Sequence, residues 1–283
     1  MRNLRATRAL LAAQWEIDFM YGLRYLTEYM EFDASTHEAK PHAFILSGGV
    51  YGSGQEVESY NEEFERASVA HLLLSGAMRL EDGACGAPGI RSLSQMIAAA
   101  DANPTINGIL LEVNSGGGES EAGSYLQNAL RDVSSNGNTP VIVYAQTLAS
   151  AAVRGTLPAN LILASRNTSN IGSIGTMVPV DLEALKWLQE NTMDLYARQS
   201  TLKNKEYRAL LEGDYEPLID FASNNAQEFI DEVEAARPGM RRTAEQAERM
   251  RAGELFIAKE AAEFGLIDGI TTFQGALSQL TNL

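Results

Sequence analysis

A chain of 283 residues with 45% hydrophobic and 21% charged residues has ordinary globular composition, which excludes a disordered tail, a collagen-like repeat and a disulfide-rich mini-protein. Its 37 acidic residues against 22 basic ones give a formal charge of −15, so phosphate backbones repel it and no nucleic-acid partner is expected. Cys85 is the single cysteine, so no internal disulfide can form, which fits a reducing compartment.

Arg2, Arg5 and Arg8 precede a short apolar run at residues 9–13 that stops before Glu16 and Asp18. A membrane-spanning helix needs roughly 20 apolar residues, and the run carries no convincing signal-peptide core or cleavage site. Leu11, Trp15, Phe19, Leu23, Leu26 and Met30 recur at helical spacing. They predict an amphipathic helix that packs on the body or on a neighbouring subunit. Residues 47–54 are rich in Gly and Ser but lack the Lys-Ser/Thr of a phosphate-binding loop, so they read as a flexible loop before the acidic run 56–65. From Ser68 the texture changes. Residues 71–74 read as a strand, 90–100 as a helix, 109–113 as a strand and 119–133 as a helix. Residues 140–144 are the next strand, a short helix starts at Ser150, and 161–164 form another strand. That alternation predicts an α/β fold, a parallel sheet with crossover helices. The last third, 182–283, reads as mostly helical, with strands near Leu195-Tyr196, Leu255-Phe256 and Ile270. The expected division is an N-terminal helix and turn-rich extension over 1–67 and a main domain over 68–283. Arg237, Arg241, Arg242, Arg249 and Arg251 are interleaved with Glu and read as a solvated surface.

Three short motifs could carry chemistry. Asn114-Ser115-Gly116-Gly117-Gly118 lies between a buried strand and a helix, where glycines leave backbone N–H groups unobstructed for an oxyanion. Its glycine spacing does not fit a dinucleotide fingerprint. Ala149-Ser150-Ala151-Ala152 again sits at a strand-to-helix junction, where small neighbours let a substrate backbone approach the hydroxyl. In isolation Ser150 reads as a plain helix N-cap. His37, His42 and His71 all lie upstream of the glycine motif, which argues against a Ser-His-Asp triad and leaves a lysine as the natural base. Ile171-Gly172-Ser173-Ile174-Gly175 alone says only that the chain turns tightly.

Taken in order, the three motifs resemble the signal peptide peptidase A family of serine proteases, within the ClpP/crotonase fold superfamily. The segment 253–261 followed by Gly265-Leu266-Ile267-Asp268 is similar to that family's closing motif, and the resemblance covers residues 68–272. It implies a ClpP/crotonase-like spiral of β-β-α units, with Ser150 as nucleophile and Lys203 as base. Lys205 is the near rival, since the glycine of the family's lysine motif is missing here. Ser173 matches a serine that orients the lysine, and N–H groups of Gly117 or Gly118 and of Ala151 form the oxyanion hole. A lysine base must be desolvated, because a free one is almost wholly protonated at neutral pH. No cofactor or metal is implied. The expected partners are a polypeptide substrate and further copies of the chain in a ring-like homo-oligomer.

Two departures refine this. Gly116 stands where the family usually has Pro, and Ser150-Ala151-Ala152 replaces Ser-Gly-Gly, as in the branch resembling phage capsid proteases. With no spanning helix in sight, the sequence looks closer to phage or prophage members that process capsid or scaffold proteins, acting in the host cytoplasm or procapsid. The alternatives are a bacterial signal-peptide-degrading peptidase and a crotonase-type acyl-CoA enzyme, for which Glu119 or Glu121 would supply the acid or base. A catalytically silent structural ring is the third.

Overall fold

The computed structural model describes residues 15–17, 42–47, 54–83, 88–136 and 139–283. In chain order the first strands are β1 (Trp15–Ile17), β2 (Ala43–Leu46), β3 (Gln55–Glu56), β4 (Ser68–Ser75), β5 (Ile106–Ser115) and β6 (Gly117–Glu119). There follow β7 (Val141–Ala149), β8 (Leu161–Ala164), β9 (Asn170–Gly172), β10 (Leu255–Ile257) and β11 (Gly269–Ile270). The helices are α1 (Ile90–Ala102), α2 (Ser120–Asn136), α3 (Ala151–Thr156), α4 (Leu182–Asn191) and α5 (Lys205–Leu211). They continue with α6 (Glu216–Ala236), α7 (Ala244–Arg251), α8 (Ala258–Glu263) and α9 (Phe273–Leu280).

Strands β4, β5 and β7 run parallel, with α1 and α2 as the crossovers between them. Their run-on apolar sequence follows from burial on both faces. Leu72, Leu111 and Val143 point to the side packed by Ile97 of α1 and Leu126 and Leu130 of α2. Leu110, Ile142 and Tyr144 point to the other side, under Ala276, Leu277 and Leu280 of α9. Each such aliphatic side chain contributes about 1.5–3 kcal/mol by leaving water. The helices obey the same geometry, since Leu93, Ile97 and Ala100 place one stripe of α1 on the sheet. Before α1, the Asp82 carboxylate accepts hydrogen bonds from Gly89 N–H at 2.6 Å and Ser92 Oγ at 2.9 Å. Those bonds hold its pKa below the usual carboxylate range.

Antiparallel pairs flank the parallel centre, β2 on β4 and β10 on β9, while β11 lies parallel on β8. Strand β7 is shared along its length, with Ile142 to Ala145 pairing β8 and Thr147 to Ala149 pairing β9. The sheet therefore splits at β7, and its β9 branch leads to Ser150. Strands β1 and β6 form a separate two-stranded ribbon. The α/β class, the parallel centre and the helical last third are as the sequence predicts.

Three local expectations are corrected. Trp15–Ile17, placed by spacing in an amphipathic helix, is strand β1, because β6 offers it an edge and Trp and Ile suit extended backbone. The rest of that helix, most of the glycine-rich loop and Cys85 lie outside the described residues. Leu195-Tyr196 forms no strand; Leu195 is 87% exposed and no strand pairs with this stretch. Helix α2 starts at Ser120, since Glu119 belongs to β6 and its N–H donates to the Met78 carbonyl at 2.9 Å.

Candidate active site

Strand β7 ends at Ala149 and α3 begins at Ala151, so the chain reverses on one residue, Ser150. Its φ of 56° and ψ of −125° lie where a residue with a Cβ is strained by about 1–3 kcal/mol. The surroundings impose this conformation. Ser150 N–H donates to the Gly172 carbonyl of β9 at 2.8 Å, and the Ser150 carbonyl accepts Arg154 N–H at 3.2 Å. An ordinary N-cap has extended dihedrals and a side chain bonded to the first turn. Ser150 has neither, so the capping role is excluded. A strained serine between strand and helix, its hydroxyl released from capping, has the backbone form of a nucleophile elbow.

Every residue of α3 is buried. Its small side chains serve close packing: a Cβ on Gly123 of α2 would lie 2.9 Å from the Ala151 carbonyl, and one on Gly155 2.9 Å from Leu126 Cδ2. Arg154 is the exception in chemistry and the residue that sequence reasoning missed. At 2% exposure it gives Nε to Glu232 at 2.8 Å and Nη1 to Ser120 Oγ at 3.2 Å, and its guanidinium lies 5.2 Å from the Phe229 ring centre. It thereby ties α3 to α2 and α6. The available signal was a lone arginine in a helix of small residues, one turn after the candidate serine.

The glycine motif is equally constrained. Ser115 Oγ donates to the Gly76 carbonyl at 2.6 Å and accepts Gly117 N–H at 3.2 Å. Met78 N–H donates to the Gly117 carbonyl at 2.8 Å, and a Cβ on Gly118 would overlap the Met78 carbonyl. Because alternate residues of a strand face opposite edges, the Gly118 amide points away from Met78. Strand β6 packs against α3, which brings the glycine motif beside the helix that follows Ser150. The third motif closes the other side. Ser173, at φ 52° and half-buried, donates its N–H to the Glu254 carbonyl at 3.0 Å. The closing motif supplies β10, whose Phe256 stands opposite Ile171, and so fixes the β9 carbonyl that holds Ser150.

Lys203 stands elsewhere in character. It is exposed, in the turn before α5, with its N–H on the Ser200 carbonyl at 3.2 Å. The Lys205 ammonium lies 3.8 Å from Glu206 with its side chain 59% exposed. Among the described residues, neither lysine is hydrogen-bonded to Ser150 or Ser173. His71 is engaged on the α9 face of the sheet, where its Nε2 meets Glu112 Oε2 at 3.0 Å, and Gln146 Nε2 donates to Glu112 Oε1 at 2.9 Å. Glu119 accepts Leu80 N–H at 2.8 Å, whereas Glu121 is exposed. A groove of about 380 Å³ lies apart, between α6 and α7, lined by Glu234, Arg237, Met240 and Arg242. Among the described residues no group of three His, Cys, Asp or Glu is gathered to hold a metal, and no helix is long and apolar enough to cross a membrane.

No family model matches the chain. A Methanocaldococcus jannaschii protein named as a protease is 28% identical over 184 residues, 63% of this chain and 57% of that protein. Protease 4 of Salmonella typhi is 24% identical over 217 residues, 76% of this chain and 34% of that protein. The chain thus spans little more than half of the first relative and about a third of the second. Among solved structures, a mutant of the 1510-N membrane-bound stomatin-specific protease is similar with a TM-score of 0.48 and 14% identity, covering 78% of this chain and 86% of that one.

Proposed function

We propose that the chain is a serine endopeptidase in which Ser150 and Lys203 form a catalytic dyad. The observation that carries this reading is the backbone of Ser150, strained at the strand-to-helix turn and unused as a cap. The protease names of both sequence relatives support it. Ser150 Oγ attacks the peptide carbonyl while the neutral lysine amine takes its proton. The tetrahedral intermediate collapses with cleavage of the C–N bond, and the lysine returns the proton to the leaving amine. Water then hydrolyses the acyl-serine by the same relay. Gly118 and Ala151 supply the oxyanion N–H groups, since the Gly117 N–H is committed to Ser115. Ser173 orients the lysine. The chemistry needs no cofactor.

A solvated lysine is a poor base at neutral pH, so Lys203 requires a cover. Among the described residues, nine of the eleven exposed large hydrophobic side chains lie between Met177 and Phe221, on both sides of Lys203 in sequence. Leu182, Met193, Leu195 and Leu202 are 68–87% exposed. Exposed apolar side chains in this number are what an interaction surface would offer. We assign it to a second copy of the chain in a ring-like homo-oligomer, where docking desolvates Lys203 and brings it to a serine. The substrate is a polypeptide, and the Ser-Ala-Ala sequence at the nucleophile favours a phage-type capsid or scaffold protein.

The test is labelling with a serine-directed fluorophosphonate, followed by peptide mapping and by digestion of denatured casein. Label on Ser150 and loss of both label and cleavage in Ser150→Ala are expected. Unlabelled Ser150, or a Ser150→Ala chain that cleaves at the parent rate, overturns the proposal. An acyl-CoA enzyme of the same fold would remain unlabelled.

A further inference from the structure

Strand β6 has two hydrogen-bonding edges, and they are used differently. One is built into the domain: Met78 N–H bonds the Gly117 carbonyl and Glu119 N–H bonds the Met78 carbonyl. The other is taken by β1, which lies antiparallel with Trp15 opposite Glu119, Glu16 opposite Gly118 and Ile17 opposite Gly117. Among the described residues, β1 pairs with no other strand, and it also packs against α3, the helix that starts after Ser150. Alternation makes Glu16 and Gly118 the pair whose N–H and C=O groups face each other. The backbone of β1 therefore runs past the nucleophile helix along the edge that presents the Gly118 amide.

We infer that β1 fills the position of a bound substrate strand, so that the chain carries its own competitor for this edge of β6. That a substrate binds here rests on the peptidase reading; that β1 occupies the edge does not. An extended peptide added to a sheet edge is held by main-chain hydrogen bonds and recognised with little regard to sequence. A two-stranded ribbon is marginal in water by itself, and β1 is only three residues long. An unstructured polypeptide at sufficient concentration displaces it, antiparallel to β6, with a backbone carbonyl against the Gly118 N–H. The ligand class is an extended, unfolded polypeptide segment, and the resident occupant is Trp15–Ile17.

Proline at position 16 removes the one β1 N–H that faces Gly118, whereas alanine there keeps it. The experiment follows amide hydrogen exchange at Gly118 in Ser150→Ala chains, and KM for denatured casein in chains that retain Ser150. The Gly118 amide should be protected in the parent and in Glu16→Ala, exchange freely in Glu16→Pro, and regain protection when casein is added. KM should fall roughly tenfold in Glu16→Pro with kcat unchanged, as expected for losing one or two net backbone hydrogen bonds from a competitor. Equal Gly118 exchange in the parent and Glu16→Pro overturns the inference, and so does a KM that does not fall. If no chain cleaves casein while Gly118 protection still responds to Glu16→Pro and to casein, the peptidase reading fails and the peptide-binding edge stands.

Discussion

Glu232→Leu tests whether the ion pair beneath α3 is structural in the way its geometry implies. Arg154 is 2% exposed and Glu232 27% exposed, with 2.8 Å between Nε and Oε2. Removing the acid takes from a buried cation the carboxylate that binds its Nε, while Ser120 Oγ at 3.2 Å and Asn225 Oδ1 at 3.4 Å stay in place. Breaking a buried pair from that side costs about 3–5 kcal/mol. Arg154→Met deletes the charge instead, fills much of the same volume and leaves Glu232 free to turn to water. Its cost should stay near 1–2 kcal/mol, in the range of a volume-conserving exchange plus lost hydrogen bonds. The double variant lacks both charges of this pair and should resemble Arg154→Met. Urea unfolding followed by circular dichroism gives the order: parent most stable, Arg154→Met and the double variant next, Glu232→Leu last. Fluorophosphonate labelling in the same samples should drop in Glu232→Leu below its unfolding midpoint, because α3 loses its tie to α6 one turn from Ser150. Glu232→Leu at least as stable as Arg154→Met would refute the reasoning.

Further outcomes follow from single contacts. Gly118→Ala should impair expression of folded protein or lower the urea midpoint by more than Gly239→Ala does, since its Cβ meets the Met78 backbone while the space around Gly239 is open; equal midpoints would contradict the close approach. Asp82 has its carboxyl held low by Gly89 N–H and Ser92, so its contribution is present above the usual carboxylate value of about 4 and is lost as pH falls through the folded value. The difference in urea midpoint between parent and Asp82→Asn should therefore shrink below about pH 4, and a constant gap from pH 7 to pH 3 would count against it. Activity should rise from acid to mildly alkaline pH and vanish in Lys203→Arg, because arginine keeps its proton; an active Lys203→Arg beside an inactive Lys205→Ala moves the base to Lys205. Mixing Ser150→Ala with Lys203→Ala under subunit exchange should restore cleavage if neighbours share the site, and no rescue would place both groups in one chain.

The parts of the fold legible in the sequence are those whose cause is local. Strand β8 is recovered at residues 161–164 and α1 starts at Ile90 as expected, because an apolar run and a helical stripe each state their own geometry. Strand β1 is set by a distant partner: Trp15 suits a helical stripe as well as a strand, and the decision is made by β6 a hundred residues on. Leu195-Tyr196 fails for the converse reason, an apolar pair with no strand edge to join. At the candidate site, small residues around Ser150 were visible, but the left-handed turn comes from the Gly172 carbonyl of β9 and, behind it, from β10. Arg154 was invisible because charged residues in helices usually face water, and its counter-charge lies 78 positions later on α6.

The proposed nucleophile and the proposed base sit in opposite physical settings, and that contrast shapes the proposed mechanism. The Ser150 backbone is locked by β9, by the packing of α3 on Gly123 and by the buried Arg154, so it has little freedom to lose when a substrate arrives. Such preorganisation is where a peptidase gains rate. Lys203 has the reverse: an exposed turn flanked by exposed Met193, Leu195 and Leu202. A lysine kept in water until another body covers it is an inactive base by default. On this reading the isolated chain is held off by two independent devices, the solvation of Lys203 and the occupation of β6 by β1. Assembly removes the first and an unfolded polypeptide displaces the second, so cleavage requires both an assembled protein and an extended chain to cut.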